Sequence, residues 1–224
     1  IYTGEDTLSL HDALPIYDFL IQKPRPLPVI VAVDRSGSMG TNGKIDALNI
    51  ALKDFINSIK DEDSNKAEIH ISLFSFGGES ATCDIPLTPI SQVNTQSYRA
   101  QGRTPMGGAF TMIKELIEDK VQIPSRSYKP TIVLLTDGIP TDDFLSPMNE
   151  LINDGRSSKA FRIAMAIGDD ADHNMLSKFV SSPEYLVLGD SARDIRKFFR
   201  FVTMSVTQRM KSQTPDMQQI PQMP

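Results

Sequence analysis

The sequence is poor in cysteine: among 224 residues Cys83 stands alone. A disulfide framework needs partners, so a single thiol fits a reducing compartment, and the cytoplasm is the expected location. Long apolar runs are missing too. No stretch approaches the ~20 residues a membrane helix requires, and no polybasic or amphipathic leading segment addresses a membrane surface. Nor is there a basic stripe of the kind that tracks a nucleic-acid backbone; the formal net charge is −5. No internal repeat is present. What is left is enough chain for one good-sized core, and the hydrophobic content of 40% fits a globular domain.

The first residues have a different character. Thr7-Leu8-Ser9-Leu10-His11-Asp12-Ala13-Leu14-Pro15-Ile16 is, codon for codon, the translation of the end of a widely used sequencing-library adaptor, and Ile1-Tyr2-Thr3 fits the adaptor upstream. Residues 1–16 are therefore expected to be a processing scar, with native sequence from Tyr17 onward. Glu5, Asp6 and Asp12 go with it, so a net charge of −5 becomes −2. Residues 17–27 read as an extended lead, proline-rich at its end in Lys23-Pro24-Arg25-Pro26-Leu27-Pro28. Residues 28–210 read as one domain. Residues 211–224, dominated by Gln, Pro and Met, are expected to be a disordered tail.

Within the domain, apolar runs rich in β-branched residues predict strands over 29–33, 68–76, 131–135, 161–167 and 185–188, with an edge strand over 81–85. Apolar spacing of three and four predicts helices over 44–60, 106–119, 144–157, 172–180 and 191–210. The alternation predicts an α/β fold. Its centre is a Rossmann-like open, mostly parallel sheet of about six strands, one of them an antiparallel edge strand, with helices on both faces.

Two of the buried strands end in acid. Asp34 follows Val29-Ile30-Val31-Ala32-Val33, and Asp137 follows Thr131-Ile132-Val133-Leu134-Leu135-Thr136. In open α/β sheets ligands bind outside the carboxyl ends of the strands, which is where both carboxylates fall. Asp34-Arg35-Ser36-Gly37-Ser38 adds two hydroxyls, and Gly102-Arg103-Thr104-Pro105 adds a third. Asp34, Ser36, Ser38, Thr104 and Asp137 are all hard oxygen donors, a set that selects Mg²⁺, or Mn²⁺ in its place, over zinc or copper. Gly37 is expected to let Ser36 and Ser38 face one point, and Gly107 and Gly108 to let the following helix approach its neighbours closely.

Other polar residues read as structural. Asp142 and Asp143 are expected in the first turn of the third helix, capped by Thr141, where the helix dipole favours negative charge. Asp169, Asp170 and Asp172 form an acidic loop whose expected role is capping. His70 alternates within a strand, His173 has no partner at metal-ligand spacing, and His11 belongs to the scar. Met39 and Met106, flanking the metal loops, are expected to pack in the core or at its rim.

Asp34-x-Ser36-x-Ser38, then Thr104, then Asp137-Gly138 resembles the metal-ion-dependent adhesion site of von Willebrand factor A domains. Pro28 to Asp34, Gly102 to Ala109 and Leu135 to Asp142 are similar in particular to bacterial A-domain proteins of tellurium-resistance and related stress operons. The resemblance implies that Ser36, Ser38 and Thr104 ligate the ion directly in the partner-bound form, with Asp34 and Asp137 acting largely through water. A partner's Asp or Glu would then complete the coordination. It also implies a protein-binding role, with kinase- and phosphatase-like proteins as partners. Two alternatives are a Mg²⁺-dependent phosphotransferase with Asp34 as nucleophile, and an A-domain subunit of a chelatase-type ATPase. The phosphotransferase needs a second acid two residues after Asp34, where Ser36 stands, and no activated Ser, Cys or His pair is evident, so no catalytic residue is assigned.

Overall fold

The computed structural model describes residues 24–61 and 67–217. The expected scar, the lead up to residue 23 and the end of the expected tail, 218–224, lie outside the described residues. Strand β1 (Arg25–Asp34) is buried from its second residue on, as its apolar run dictates. It begins four residues before the predicted strand and takes in Pro26 and Pro28. Both prolines are tolerated because β1 there has only one neighbour: pairing with β2 (Ala67–Gly77) starts at Arg25, whereas pairing with β4 (Thr131–Thr136) starts at Val29.

The sheet has six strands in the order β3-β2-β1-β4-β5-β6, with β5 at Phe161–Ile167 and β6 at Leu186–Gly189. Only β3 (Ser80–Pro89), hairpinned to β2, runs antiparallel. The expected fold class is thus observed, with an edge strand longer than the predicted 81–85. Helix α1 (Lys44–Lys60) buries Leu48, Leu52, Phe55 and Ile59 and packs against α5 (Ala192–Lys211), where Phe55 and Phe199 meet at 5.7 Å between ring centroids. Helices α2 (Met106–Glu118), α3 (Leu145–Asn153) and α4 (His173–Phe179) form a second group, in which α2 packs against α3 and Phe110 stacks on Phe179 at 5.5 Å. Helix α3 stops short of the predicted 157, because Asp154 is extended and a 3-10 turn takes over at Ser157–Lys159. Among the described residues no helix is long and apolar enough to cross a membrane.

The end of the domain departs from the expected disordered tail. Residues 212–217 fold back instead, because Arg209, buried near the end of α5, reaches beyond it to the Pro215 carbonyl, while Asp216 accepts the Lys129 amide at 2.8 Å. The start of β1 meets the same stretch. Arg25 donates to the Arg126 carbonyl and lies 4.0 Å from the centroid of the Tyr128 ring, and the Tyr128 amide donates to Pro26.

Candidate metal centre

Three loops converge at the carboxyl end of the central strands, and backbone bonds hold them together. From the first loop, Gly37 donates to the Gly102 carbonyl at 3.0 Å, and Gln101 donates back to Arg35 at 2.8 Å. Gly78, after β2, joins them by donating to Gln101 and accepting from Arg103. The third loop is tied to the second by Thr141, whose amide donates to the Thr104 carbonyl at 3.0 Å and whose hydroxyl accepts the Thr104 amide at 3.1 Å. Main-chain hydrogen bonds therefore fix the three loops relative to one another.

Asp142 supplies a further tie, and in a different place from the one expected. It does not sit in α3, which starts only at Leu145; its two carboxylate oxygens accept the amides of Gly107 and Gly108, each at 2.9 Å, at the amino end of α2. The residue preceding α2 is Pro105, whose side chain has nothing to accept with, so the cap comes from across the loop. This contact demands glycine at 107: a Cβ there would lie 2.2 Å from the Asp143 carbonyl oxygen. A Cβ on Gly108 would make ordinary contact with Ala81 at 3.6 Å. Gly37 likewise departs from expectation, since its φ is not positive and a Cβ would sit 3.4 Å from Gly102. The 3-10 turn at Gly37–Gly40, rather than a special glycine conformation, presents Ser36 and Ser38.

All five predicted donors come together. Asp34, Ser36 and Asp137 are buried and Thr104 is 6% exposed. Ser36 and Ser38 share a hydroxyl–hydroxyl bond of 3.0 Å, and Ser38 donates to Asp137 Oδ1 at 2.7 Å. Thr104 lines the same mouth, since a methyl built on Gly138 would lie 3.5 Å from its Oγ1 and 3.9 Å from the Ser38 Oγ. Asp34 Oδ1 accepts the Ser36 amide at 2.7 Å, and Oδ2 accepts the hydroxyl of Thr136 at 2.6 Å. Burial pushes the Asp34 carboxyl up to about 6 despite the opposing bonds from Ser36 and Thr136.

Among the described residues no lysine or arginine is paired with Asp34. Lys44 pairs with Asp137 Oδ2 at 2.8 Å. The centre thus holds two buried carboxylates and one ammonium, beside three hydroxyls. No group of three His, Cys, Asp or Glu side chains suited to a metal occurs among the described residues; here hydroxyls make up the set. The donor set fits a hard divalent cation. Of the acidic loop it is Asp172 that caps α4, through the Met175 amide, and Met39 and Met106 are core residues, as the sequence suggested. His173 contacts the Gly168 carbonyl, which the sequence did not indicate.

The family model for the von Willebrand factor type A domain matches residues 29–201. The chain belongs to this family. The A domain also has the fold of solved structures at low identity. The pilus adhesin SpaC from Lactobacillus rhamnosus GG is 17% identical at a TM-score of 0.68, over 84% of this chain and 31% of that one. Proximal thread matrix protein 1 from the mussel byssus, solved with a zinc-occupied MIDAS motif, is 16% identical at 0.62, over 81% and 48%. The manganese-loaded TRAP protein of Plasmodium vivax is 19% identical at 0.53, over 78% and 74%. The A domain thus spans about a third to a half of the first structures it matches. No curated protein sequence matches it.

Proposed function

We propose that the A domain is a metal-dependent protein-binding module, in which Asp34, Ser36, Ser38, Thr104 and Asp137 hold Mg²⁺, or Mn²⁺ in its place. The observation that carries this reading is the excess of buried negative charge, two carboxylates against the single ammonium of Lys44, in a mouth lined by hydroxyls. Two solved structures of the same fold, one with a zinc-occupied MIDAS motif and one manganese-loaded, support it. With neutral hydroxyls as direct ligands and the carboxylates acting largely through water, the bound ion stays electrophilic and takes a carboxylate from outside. The partner therefore offers an Asp or Glu.

Binding is favoured over phosphotransfer because both oxygens of Asp34 are already engaged, by the Ser36 amide and the Thr136 hydroxyl, and Ser36 occupies the place of the second acid. The closer resemblance in the three site segments favours a cytoplasmic, bacterial tellurite- or stress-response setting, with kinase- and phosphatase-like partners. An A-domain subunit of a chelatase-type ATPase would use the same centre.

The test is capture of co-encoded proteins on the immobilised A domain in Mg²⁺ and in EDTA, beside Thr104→Ala. Capture is expected to need Mg²⁺ and to fall with Thr104→Ala while the fold persists, since four donors still hold the ion and its outer geometry is spoiled. Equal capture in all arms would place recognition elsewhere on the surface.

A further inference from the structure

Lys44 is out of place by ordinary rules. It is the first residue of α1, and a lysine in the first turn stands at the positive end of the helix dipole, where acidic side chains are preferred. The chain makes a deliberate turn to put it there. Asn42 and Gly43 adopt consecutive left-handed conformations, with φ of 53° and 68°, and no side chain caps the helix. Lys44 then extends into the centre, its side chain 13% exposed, to meet an Asp137 carboxylate that is wholly buried. Asp137 is left with both oxygens occupied, one by Lys44 and one by the Ser38 hydroxyl, while Asp34 has hydrogen bonds only.

We propose that Lys44 is a counter-ion built into the metal centre: it neutralises Asp137 when no divalent ion is present and, by charge repulsion, weakens the binding of one. This rests on the reading of the five donors as a metal site. Two consequences follow from a single ammonium serving both states. The metal-free domain keeps its loops in place, because removal of the ion does not leave two bare buried carboxylates side by side. The affinity for the ion is set lower than the donors alone would give, so occupancy responds to ion concentration or to a partner carboxylate that adds its own negative charge. Lys44 is a positioning residue here and no ligand to the ion.

The test uses the full chain with Mn²⁺ as probe. Mn²⁺ titration calorimetry is run on the native protein, Lys44→Gln, Lys44→Arg and Asp34→Asn, with thermal melts of each in EDTA. Lys44→Gln is expected to bind Mn²⁺ at least about tenfold more tightly, as loss of a unit charge a few ångströms away implies, and to melt at a lower temperature in EDTA. Lys44→Arg, which keeps the charge, is expected near native on both readouts. Should Lys44→Gln fail to fold in EDTA, its rescue by Mn²⁺ supports the proposal and absence of rescue overturns it. Equal or weaker Mn²⁺ binding by Lys44→Gln overturns the role of Lys44 and leaves the metal site standing. Absence of Mn²⁺ binding by both proteins, or binding retained in Asp34→Asn, overturns the metal site and the proposal together.

Discussion

At its amino end β4 offers the Thr131 hydroxyl to the guanidinium of Arg209, and at its carboxyl end it offers the Thr136 hydroxyl to the carboxylate of Asp34. Both charges are buried, and both would be expensive if left without partners. Arg209 is closed off by the chain itself. Its remaining donors reach the carbonyls of Pro215 and Lys129 at 3.1 and 2.9 Å and Asp216 at 3.4 Å, and its guanidinium lies 4.3 Å from the centroid of the Phe161 ring. Burial pushes its pKa down to about 10, against the pull of Asp216. At the other end, two carboxylates share one ammonium. Charge that the chain balances belongs to the architecture, whereas charge that it leaves in excess calls for something from outside.

The largest effect should come from breaking the closed end. Arg209→Ala is expected to cost about 3–5 kcal/mol in urea denaturation, because it leaves several buried acceptors unpaired. The loss should be the same in Mg²⁺ and in EDTA; a loss that depends on the ion would show that the two ends of β4 are coupled.

Asp34→Asn probes the open end. The Asp34 carboxyl is raised from 3.8 to about 6, so the folded form holds its proton more firmly than the unfolded form. Its stabilising contribution is fully present below pH 3.8 and is lost as the pH rises to about 6. Melting temperatures in EDTA should therefore fall across that window by the equivalent of up to about 3 kcal/mol. In Asp34→Asn the decline should be absent.

Adding the ion comes next in size. At free Mg²⁺ of about 100 times Kd the native protein should gain roughly 2.7 kcal/mol. Calorimetric melts should show that gain in the native chain and lose it in Asp34→Ala; no shift in the native chain, with no saturable metal binding, would count against the site.

The smallest effect is expected at the tie between the loops. Asp142→Ala removes the cap from α2 and should cost about 1–2 kcal/mol. It should also reduce the Mg²⁺-induced shift, because the Thr104 loop is held against the Asp137 loop through that same region. An unchanged shift would mean that the backbone ties at Thr104 and Thr141 suffice alone.

How much of this could be read from the sequence varies with the kind of contact. Apolar periodicity carries the strands and helices, since burial of one face is a local property of the chain. The five donors are legible because each sits beside a strand end or a glycine turn, and strand ends are where a parallel sheet opens. Thr136, Lys44 and Asp142 are not legible in that way. Thr136 looks like one more β-branched strand residue until the fold brings it against Asp34, 102 positions away. Asp142 takes backbone amides, and an amide has no sequence signature. Lys44 left one clue, a positive charge at the start of a helix. The packing of residues 212–217 is not legible in their composition either, because it depends on one arginine, Arg209, in the preceding helix.

The stretch 126–129 receives both the start of β1 and the fold-back after α5, through Arg25 and Tyr128 on one side and Lys129 and Asp216 on the other. Entry and exit of the domain are thus fastened side by side, at the end of the sheet remote from the metal loops. Anything joined at these two points would meet the domain at the end opposite its mouth. A mechanical load applied between the two points would be borne at this clasp and would not run through the metal loops.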